Sequence, residues 1–168
     1  PEQAMVAIKP SNVSYKEAAA LPIGATTALR MLRKGNIQRG QKVLIYGASG
    51  SVGTYAVQLA KYFGADVTGV CSTSNIEMVK SLGADHVIDY TKDDFSSREE
   101  RYDVIFDTLA KFPKSQYSKV LKPNGTYVSM AKLSTKESMD NLISIKELIE
   151  AGKIKAFIDR CYPLEQMV

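Results

Sequence analysis

The stretch Gln41–Gly64, QKVLIYGASGSVGTYAVQLAKYFG, decides the fold of this chain. The short apolar run Val43–Tyr46 predicts a buried strand, and it gives way to the small residues of Gly47–Gly53. An amphipathic helix follows, with an apolar face made of Val52, Ala56, Leu59, Ala60 and Phe63. Strand, glycine-rich turn and helix in this order predict a phosphate-binding unit, because backbone N–H groups and the positive helix end converge on an anion.

The glycine-rich turn has the pattern Ala-x-Gly-x-x-Gly at Ala48, Gly50 and Gly53. It departs from the common dinucleotide fingerprint only at the first glycine. Small residues at these positions let a pyrophosphate approach the main chain, and the flanking strand and helix give the motif a specificity that glycines alone lack. We therefore expect a dinucleotide site at this turn.

The bulk composition excludes several classes of protein. A chain of 168 residues with 45% hydrophobic and 24% charged residues is expected to form one domain. Its net charge of +4 is not gathered in a Lys/Arg cluster, so we expect no nucleic-acid partner. No apolar stretch approaches the ~20 residues of a membrane span, and no signal peptide opens the chain. We expect a cytoplasmic location without membrane association and, since the chain begins at Pro1, a fragment of a longer protein.

The two cysteines and one histidine predict no metal site. Cys71 and Cys161 lie in runs that predict sheet, and they form no C-x-x-C pair. We expect both to be buried, inert thiols. The only histidine, His86, cannot complete a zinc site by itself, and its place at a strand start favours a structural role over acid–base catalysis.

Strands alternate with helices along the chain, which predicts a parallel sheet. Two capping boxes, Ser14 with Glu17 and Ser74 with Glu77, predict helix starts. The expected strands are Val43–Tyr46, Asp66–Cys71, His86–Asp89, Asp103–Asp107, Gly125–Met130 and Lys155–Asp159. The fold class is therefore α/β, a doubly wound Rossmann sheet of six parallel strands in the order 3-2-1-4-5-6, forming one dinucleotide-binding domain over residues 1–168.

The end of the second strand bears on the choice of cofactor. A dinucleotide site usually has an acidic residue about 20 residues beyond the turn, where it binds the ribose 2′-OH. That position falls on Cys71–Asn75, which contains no carboxylate. Ser72, Thr73, Ser74 and Asn75 can donate hydrogen bonds to a 2′-phosphate, so NADP(H) is favoured over NAD(H), although no Arg or Lys is present there. Helix capping is the alternative role for Ser72 and Ser74.

Several ordered motifs resemble one family over almost the whole chain. They are Ala18–Pro22, Gly24–Ala28, the glycine turn, Ser81–Asp85, Val87–Tyr90, Asp103–Thr108, Leu121–Gly125, Leu148–Lys153 and Tyr162–Leu164. Together they resemble the cofactor domain of medium-chain dehydrogenase/reductases. The Ala48 variant of the turn is similar to the zinc-independent quinone-oxidoreductase branch.

The resemblance implies a set of cofactor contacts and no catalytic or metal residue within this chain. Ser51, Val52 and Gly53 would lie under the pyrophosphate. Tyr90 would flank the adenine, with packing at the sheet end as its alternative, and Thr26 would approach the nicotinamide, with helix capping as its alternative. The full implied set is Thr26, Ala48, Gly50, Ser51, Val52, Gly53, Ser72, Ser74, Asn75, Tyr90, Thr108, Leu109, Ser129 and Met130.

The chain departs from the family pattern in two ways. The N-terminal β-rich catalytic domain, which walls the substrate cleft and carries any zinc ligands, is absent. The family also has a longer connection between Met130 and Asn141, with the sheet-edge elements through which subunits commonly pair. Its deletion and its omission from the recorded sequence both stay open, and so a homodimer is only one possible assembly.

Other nucleotide-binding classes fit the sequence less well. A short-chain dehydrogenase would need Tyr-x-x-x-Lys, which none of the nine tyrosines provides. A P-loop would need Gly-Lys-Ser/Thr, whereas Gly53 precedes Thr54.

We expect the cofactor domain of an NADP(H)-dependent oxidoreductase that reduces quinones, enones or similar small-molecule carbonyls. A zinc-dependent alcohol dehydrogenase and a non-catalytic nucleotide-sensing module are the alternatives, and the fragment alone is expected to be inactive.

Overall fold

The computed structural model describes residues 6–132 and 139–166. The strands are β1 (Lys42–Tyr46), β2 (Asp66–Cys71), β3 (His86–Asp89), β4 (Tyr102–Asp107) and β5 (Leu121–Ser129). The helices are α1 (Tyr15–Ala19), α2 (Pro22–Lys34), α3 (Ser51–Tyr62), α4 (Ile76–Ser81), α5 (Lys114–Val120) and α6 (Met139–Glu150).

The five strands form one parallel sheet in the order β3-β2-β1-β4-β5. Successive side chains of a strand point to opposite faces, so Val43 and Ile45 join a large core with α2, α3, α4 and α6. Leu44 joins a smaller core on the other face with Ile105 and Val120. Helices therefore cover both faces, and the expected α/β Rossmann fold is confirmed for this part of the chain.

The predicted sixth strand is wrong. Lys155–Asp159 is not a strand, because the chain leaving α6 lies against α3 and not beside the edge strand β5. Gln58 of α3 fixes it there, since its Nε2 donates to Lys155 O at 3.1 Å and its Oε1 accepts from Lys155 N at 2.9 Å. A strand-like sequence thus lies against a helix, which offers no strand edge with which to pair.

The two capping boxes have different outcomes. Ser14 and Glu17 form the predicted reciprocal box at the start of α1. At the second position the prediction is wrong, because residues 73–75 form a 3₁₀ turn and α4 begins at Ile76 without a side-chain cap. Glu77 pairs instead with Lys80, at 3.0 Å.

The two cysteines also differ. Cys71 is buried in β2 as expected, and burial, followed by the charge of Asp89, raises the pKa of its thiol. Cys161 is exposed, so its predicted burial is wrong, and no strand forms at this residue. Among the described residues, none of the helices is both long and apolar enough to span a bilayer.

Candidate functional site

The glycine turn is held by backbone contacts to the end of β2. The N–H groups of Gly47 and Ala48 both donate to Val70 O, at 3.1 and 3.0 Å. Gly47 has a φ of +77°, a left-handed conformation that favours glycine, and its carbonyl accepts from Gly50 N at 3.0 Å. The turn is thus a closed loop between the carboxyl end of β1 and the first residue of α3.

The two later glycines of the turn have different requirements. A Cβ on Gly53 would lie 2.0 Å from Gly47 O, so only glycine fits where α3 crosses the turn. A Cβ on Gly50 would lie 3.4 Å from Gly47 O, and the φ of Gly50 is −78°. Gly53 is therefore required by the fold, whereas Gly50 leaves open space for an approaching group.

The N-terminus of α3 points free donors at this space. By helix geometry the N–H groups of Ser51, Val52 and Gly53 have no acceptor within the helix, and the first intrahelical bond runs from Thr54 N to Gly50 O. Gly50 is the N-cap and has no side chain with which to cap them. These donors and the positive end of the helix dipole form an anion-binding arrangement.

A cleft of about 410 Å³ opens beside the N-terminus of α3, at Gly50 and Ser51. Three of the residues predicted from the sequence, Gly50, Ser51 and Asn75, line it. The other lining residues are Ala20, Ser49, Thr54, Tyr55, Met78, Phe157 and Asp159. The turn after β1 and the turn after β2 therefore share one cleft at the carboxyl ends of the strands, where ligands of doubly wound sheets bind.

The turn after β2 is a small hydrogen-bonded network. Asn75 Nδ2 donates to Ser72 Oγ at 3.0 Å, and Ser72 Oγ lies 3.2 Å from Ser74 Oγ. Ser74 is exposed, and Ser72 and Asn75 are half-buried. The hydroxyl and amide groups predicted to bind a ribose or its phosphate are thus gathered in one place.

Thr108 and Leu109 lie against the glycine turn from β4. Thr108 Oγ1 donates to Tyr46 O at 2.8 Å, which ties the ends of β4 and β1 together. Leu109 is about half exposed, and its side chain is close to Gly47, because a Cβ there would lie 3.0 Å from Leu109 Cγ. Leu109 therefore presents an apolar surface beside the turn.

The buried carboxylate of Asp107 shapes this loop. It accepts hydrogen bonds from Leu109 N at 3.0 Å, from Phe112 N at 3.1 Å and from Tyr127 Oη at 2.8 Å. Burial, followed by the hydrogen bond to Asp107, raises the pKa of Tyr127 to about 12. Sequence reasoning missed Asp107 as a site residue, although an acid at the end of an apolar strand was a visible signal.

Four aromatic rings cluster at the same sheet end. Tyr46 packs edge-on to Phe112 at 4.2 Å between centroids, and Phe95 packs against Phe112 at 4.6 Å. Tyr90 is about half exposed, with its ring 6.3 Å from that of Tyr46. Tyr90 thus packs at the sheet end and keeps one side open, so both interpretations of this residue are compatible with its position.

Four further predicted residues do not line the cleft. Thr26 is buried in α2, and its hydroxyl donates to Pro22 O of the preceding turn instead of capping the helix. Ser129 ends β5 in register with Asp107, and its Oγ accepts from Ala131 N at 3.2 Å. Met130 follows it and packs against the large core. Ala48 is a fully buried residue of the turn itself.

Comparison with known proteins identifies the family. Residues 51–157 match the family described as zinc-binding dehydrogenase. The chain belongs to this family. A 2-methylene-furan-3-one reductase of Solanum lycopersicum is 38% identical over 94% of the chain. An NADPH-dependent alkenal/one oxidoreductase of Arabidopsis thaliana, chloroplastic by name, is 34% identical over 94% of the chain.

Solved structures of this zinc-binding dehydrogenase family agree with the fold. The quinone oxidoreductase of Coxiella burnetii superposes with a TM-score of 0.82 at 26% identity, covering 92% of this chain and 55% of that one. A cobalt- and zinc-bound alcohol dehydrogenase of Pyrobaculum aerophilum gives 0.73 at 31% identity, with 88% and 50% covered. The resemblance to medium-chain dehydrogenase/reductases is thereby confirmed.

Two facts limit which properties of these relatives can be assigned to this member of the zinc-binding dehydrogenase family. The chain spans 43% of each of the two curated relatives above, which is under half of their length. Across residues 6–132 and 139–166, no group of three or more His, Cys, Asp or Glu side chains could hold a metal ion. The described residues therefore provide no zinc ligand set of their own, although the matched family is described as zinc-binding.

Proposed function

We propose that this chain is the cofactor-binding domain of an NADP(H)-dependent oxidoreductase that reduces conjugated carbonyl compounds such as enones, alkenals and quinones. The observation that carries the proposal is the uncapped N-terminus of α3, where the N–H groups of Ser51, Val52 and Gly53 have no acceptor within the helix. Gly50 and Ser51 line the cleft at this helix end, and Gly50 leaves open space beside it. The named activities of the curated and solved relatives support the reaction class.

The residues of the cleft fit a dinucleotide. Ser51–Gly53 would hold the pyrophosphate through backbone N–H groups, and the helix dipole would add to the attraction. Ser72, Ser74 and Asn75 would hold the ribose of the adenosine half. Asn75 lines the same cleft as Gly50 and Ser51, so one bound molecule can contact both turns.

The nicotinamide half would lie toward the ends of β4 and β5. The reduced nicotinamide, when bound, supplies a hydride. Leu109 would provide an apolar surface that excludes water from one side, and Asp107 would hold the loop that carries Leu109. We expect the proton to come from solvent or from a part of the full-length protein outside this chain.

We further propose that NADPH is preferred to NADH. The loop Ser72–Asn75 contains no carboxylate, and one relative is named as NADPH-dependent. Placing a carboxylate there by Ser72→Asp should shift preference toward NADH, through repulsion of the 2′-phosphate and a new hydrogen bond to the ribose. Calorimetric titration with both cofactors tests this, with Ser72→Asn as the uncharged control. Tighter binding of NADH than of NADPH by the unmodified protein would contradict the preference.

The reaction class needs an activity measurement on the full-length protein. We expect NADPH oxidation with enones, alkenals or quinones as acceptors, whereas the 168-residue chain alone should bind cofactor and turn over nothing. Cofactor binding by a full-length protein that reduces none of these compounds would favour a nucleotide-sensing module instead. Turnover by the isolated chain would place the chemistry within these residues.

A zinc-dependent alcohol dehydrogenase is the second candidate, favoured by the name of the matched family and by the metal-bound alcohol dehydrogenase from Pyrobaculum aerophilum. Metal analysis of the full-length protein, together with an alcohol and quinone substrate screen, separates the two. Stoichiometric zinc with alcohol oxidation and no reduction of conjugated carbonyls would replace the first candidate by the second.

A further inference from the structure

A carboxylate reaches the turn after β2 from the neighbouring strand. Asp89 ends β3 directly beside Cys71, the last residue of β2. Its Oδ2 accepts a hydrogen bond from Thr73 Oγ1, in the middle of the turn that contains Ser72, Ser74 and Asn75. The sequence shows no acid at the end of β2, about 20 residues beyond the glycine turn, because the acid that reaches this position belongs to β3.

The carboxylate is fixed in position. Its Oδ1 accepts from Thr91 N at 3.0 Å and from Thr91 Oγ1 at 2.7 Å, and Thr91 Oγ1 lies 3.1 Å from Thr73 Oγ1. The side chain of Asp89 is only 10% exposed. These hydrogen bonds, with that of Thr73 the largest, lower the pKa of Asp89, so the group carries its charge at neutral pH.

Lys92 is the cation that pairs with Asp89, and it is a weak, solvent-exposed partner. Lys92 Nζ lies 3.9 Å from Asp89 Oδ2, on a side chain that is 70% exposed to solvent. Lys80 is paired with Glu77 at 3.0 Å, and Lys61 is paired with Asp85 at 2.8 Å. The charge of Asp89 also contributes to raising the pKa of the Cys71 thiol, so its field reaches the end of β2.

We propose that Asp89 is a specificity-determining residue at the adenosine end of the cofactor site. Its charge opposes a 2′-phosphate on the turn Ser72–Asn75, and its hydrogen bond occupies the Thr73 hydroxyl that would otherwise donate to that phosphate. The protein therefore discriminates between NADPH and NADH less than the small polar residues of the turn alone would allow. This inference rests on the proposed function, because it requires the nucleotide to bind in this cleft.

The test compares two ligands that differ in the 2′-phosphate, 2′,5′-ADP and 5′-ADP, by calorimetric titration of the purified protein. Asp89→Asn removes the charge and keeps an oxygen that accepts from Thr73. We expect this variant to bind 2′,5′-ADP about fivefold more tightly at low salt, with nearly unchanged affinity for 5′-ADP. The gain in affinity should shrink as salt is added. Asp93→Asn, which removes an equal charge that pairs with Arg98 at 2.5 Å, is the matched control and should change neither affinity.

Two further variants keep the test decisive. Asp89→Ser also removes the charge and should give the same shift if the Asn variant does not fold. Thr73→Val keeps the charge of Asp89, so the affinity for 2′,5′-ADP should stay as weak as in the unmodified protein. Unchanged or weaker 2′,5′-ADP binding in both charge-removing variants, or equal strengthening by Thr73→Val, would overturn the role of Asp89. Failure of the unmodified protein to bind either nucleotide would instead overturn the proposed function, and the inference with it.

Discussion

The phenol hydroxyl of Tyr127 donates to Oδ2 of Asp107 at 2.8 Å and thereby joins β5 to the carboxylate that organises the loop after β4. Asp107 is fully buried, so each of its hydrogen bonds compensates part of the cost of placing a carboxylate inside the protein. The ring of Tyr127 also stacks on Tyr117, with 3.7 Å between centroids. One side chain therefore links the sheet edge, α5 and the site loop.

Replacing Tyr127 by Phe should cost about 1–3 kcal/mol of unfolding free energy, because a buried carboxylate loses one of its donors. Urea denaturation measures this cost. Tyr117→Phe keeps the stacked ring and is the control, with an expected change within about 0.5 kcal/mol. Equal stability of the two variants would show that the Tyr127 hydroxyl contributes nothing through Asp107.

The stability of the protein should fall at alkaline pH. Burial raises the pKa values of Tyr55, Tyr102 and Tyr127 from 10.0 to about 12 in the folded protein. A raised folded-state pKa contributes stability that is complete below the unfolded pKa and is lost as pH rises through the folded one. Urea titrations from pH 9 to 12 should therefore show the loss setting in above about pH 10, and Tyr127→Phe should make it shallower.

Gly50→Val should leave the fold intact and abolish nucleotide binding. The added Cβ makes only an ordinary contact with Gly47 O at 3.4 Å, and the φ of −78° suits any residue. The side chain instead projects toward the N–H groups of Ser51–Gly53 and blocks a pyrophosphate. Calorimetry with NADPH checks the loss and circular dichroism checks the fold. Unchanged NADPH affinity would refute the assignment of this turn.

Gly53→Ala, by contrast, should lower the stability of the fold. Its Cβ would lie 2.0 Å from Gly47 O and 2.8 Å from the Ala48 backbone, so α3 or the turn must move. We expect a loss of about 3 kcal/mol or more, measured by thermal or urea unfolding without any ligand. A stability equal to that of Gly50→Ala, the matched control in the same turn, would be incompatible with this packing.

Gln58→Leu should release the segment after α6. The side chain of Gln58 is buried and bonds both the N–H and the carbonyl of Lys155. Without it, amide exchange at Lys155 and its neighbours should accelerate while β1 and β2 stay protected. Hydrogen–deuterium exchange with peptide resolution measures both regions. Unchanged exchange near Lys155 would mean that other contacts hold this segment.

The local parts of the fold could be predicted from the sequence, and the parts set by distant packing could not. The strand, turn and helix around Gly50 were predicted from the local order of residues, and the structure confirms their positions. Lys155–Asp159 has the composition of a strand, but whether it pairs depends on where α6 delivers the chain, which is a tertiary property. Asp89 was missed as a neighbour of Thr73 for the same reason, since strand pairing brings them together over 16 residues.

The contacts of the glycine turn have a consequence for how a ligand is received. Gly47 and Ala48 are anchored to Val70 O, and the lack of a side chain at Gly53 lets α3 press against Gly47 O. The loop is thus shaped by the chain itself before any ligand arrives. Binding a ligand therefore costs little conformational entropy in the loop, and less of the contact energy is lost to ordering it. The ligand-free and ligand-bound forms of the turn should be nearly superimposable.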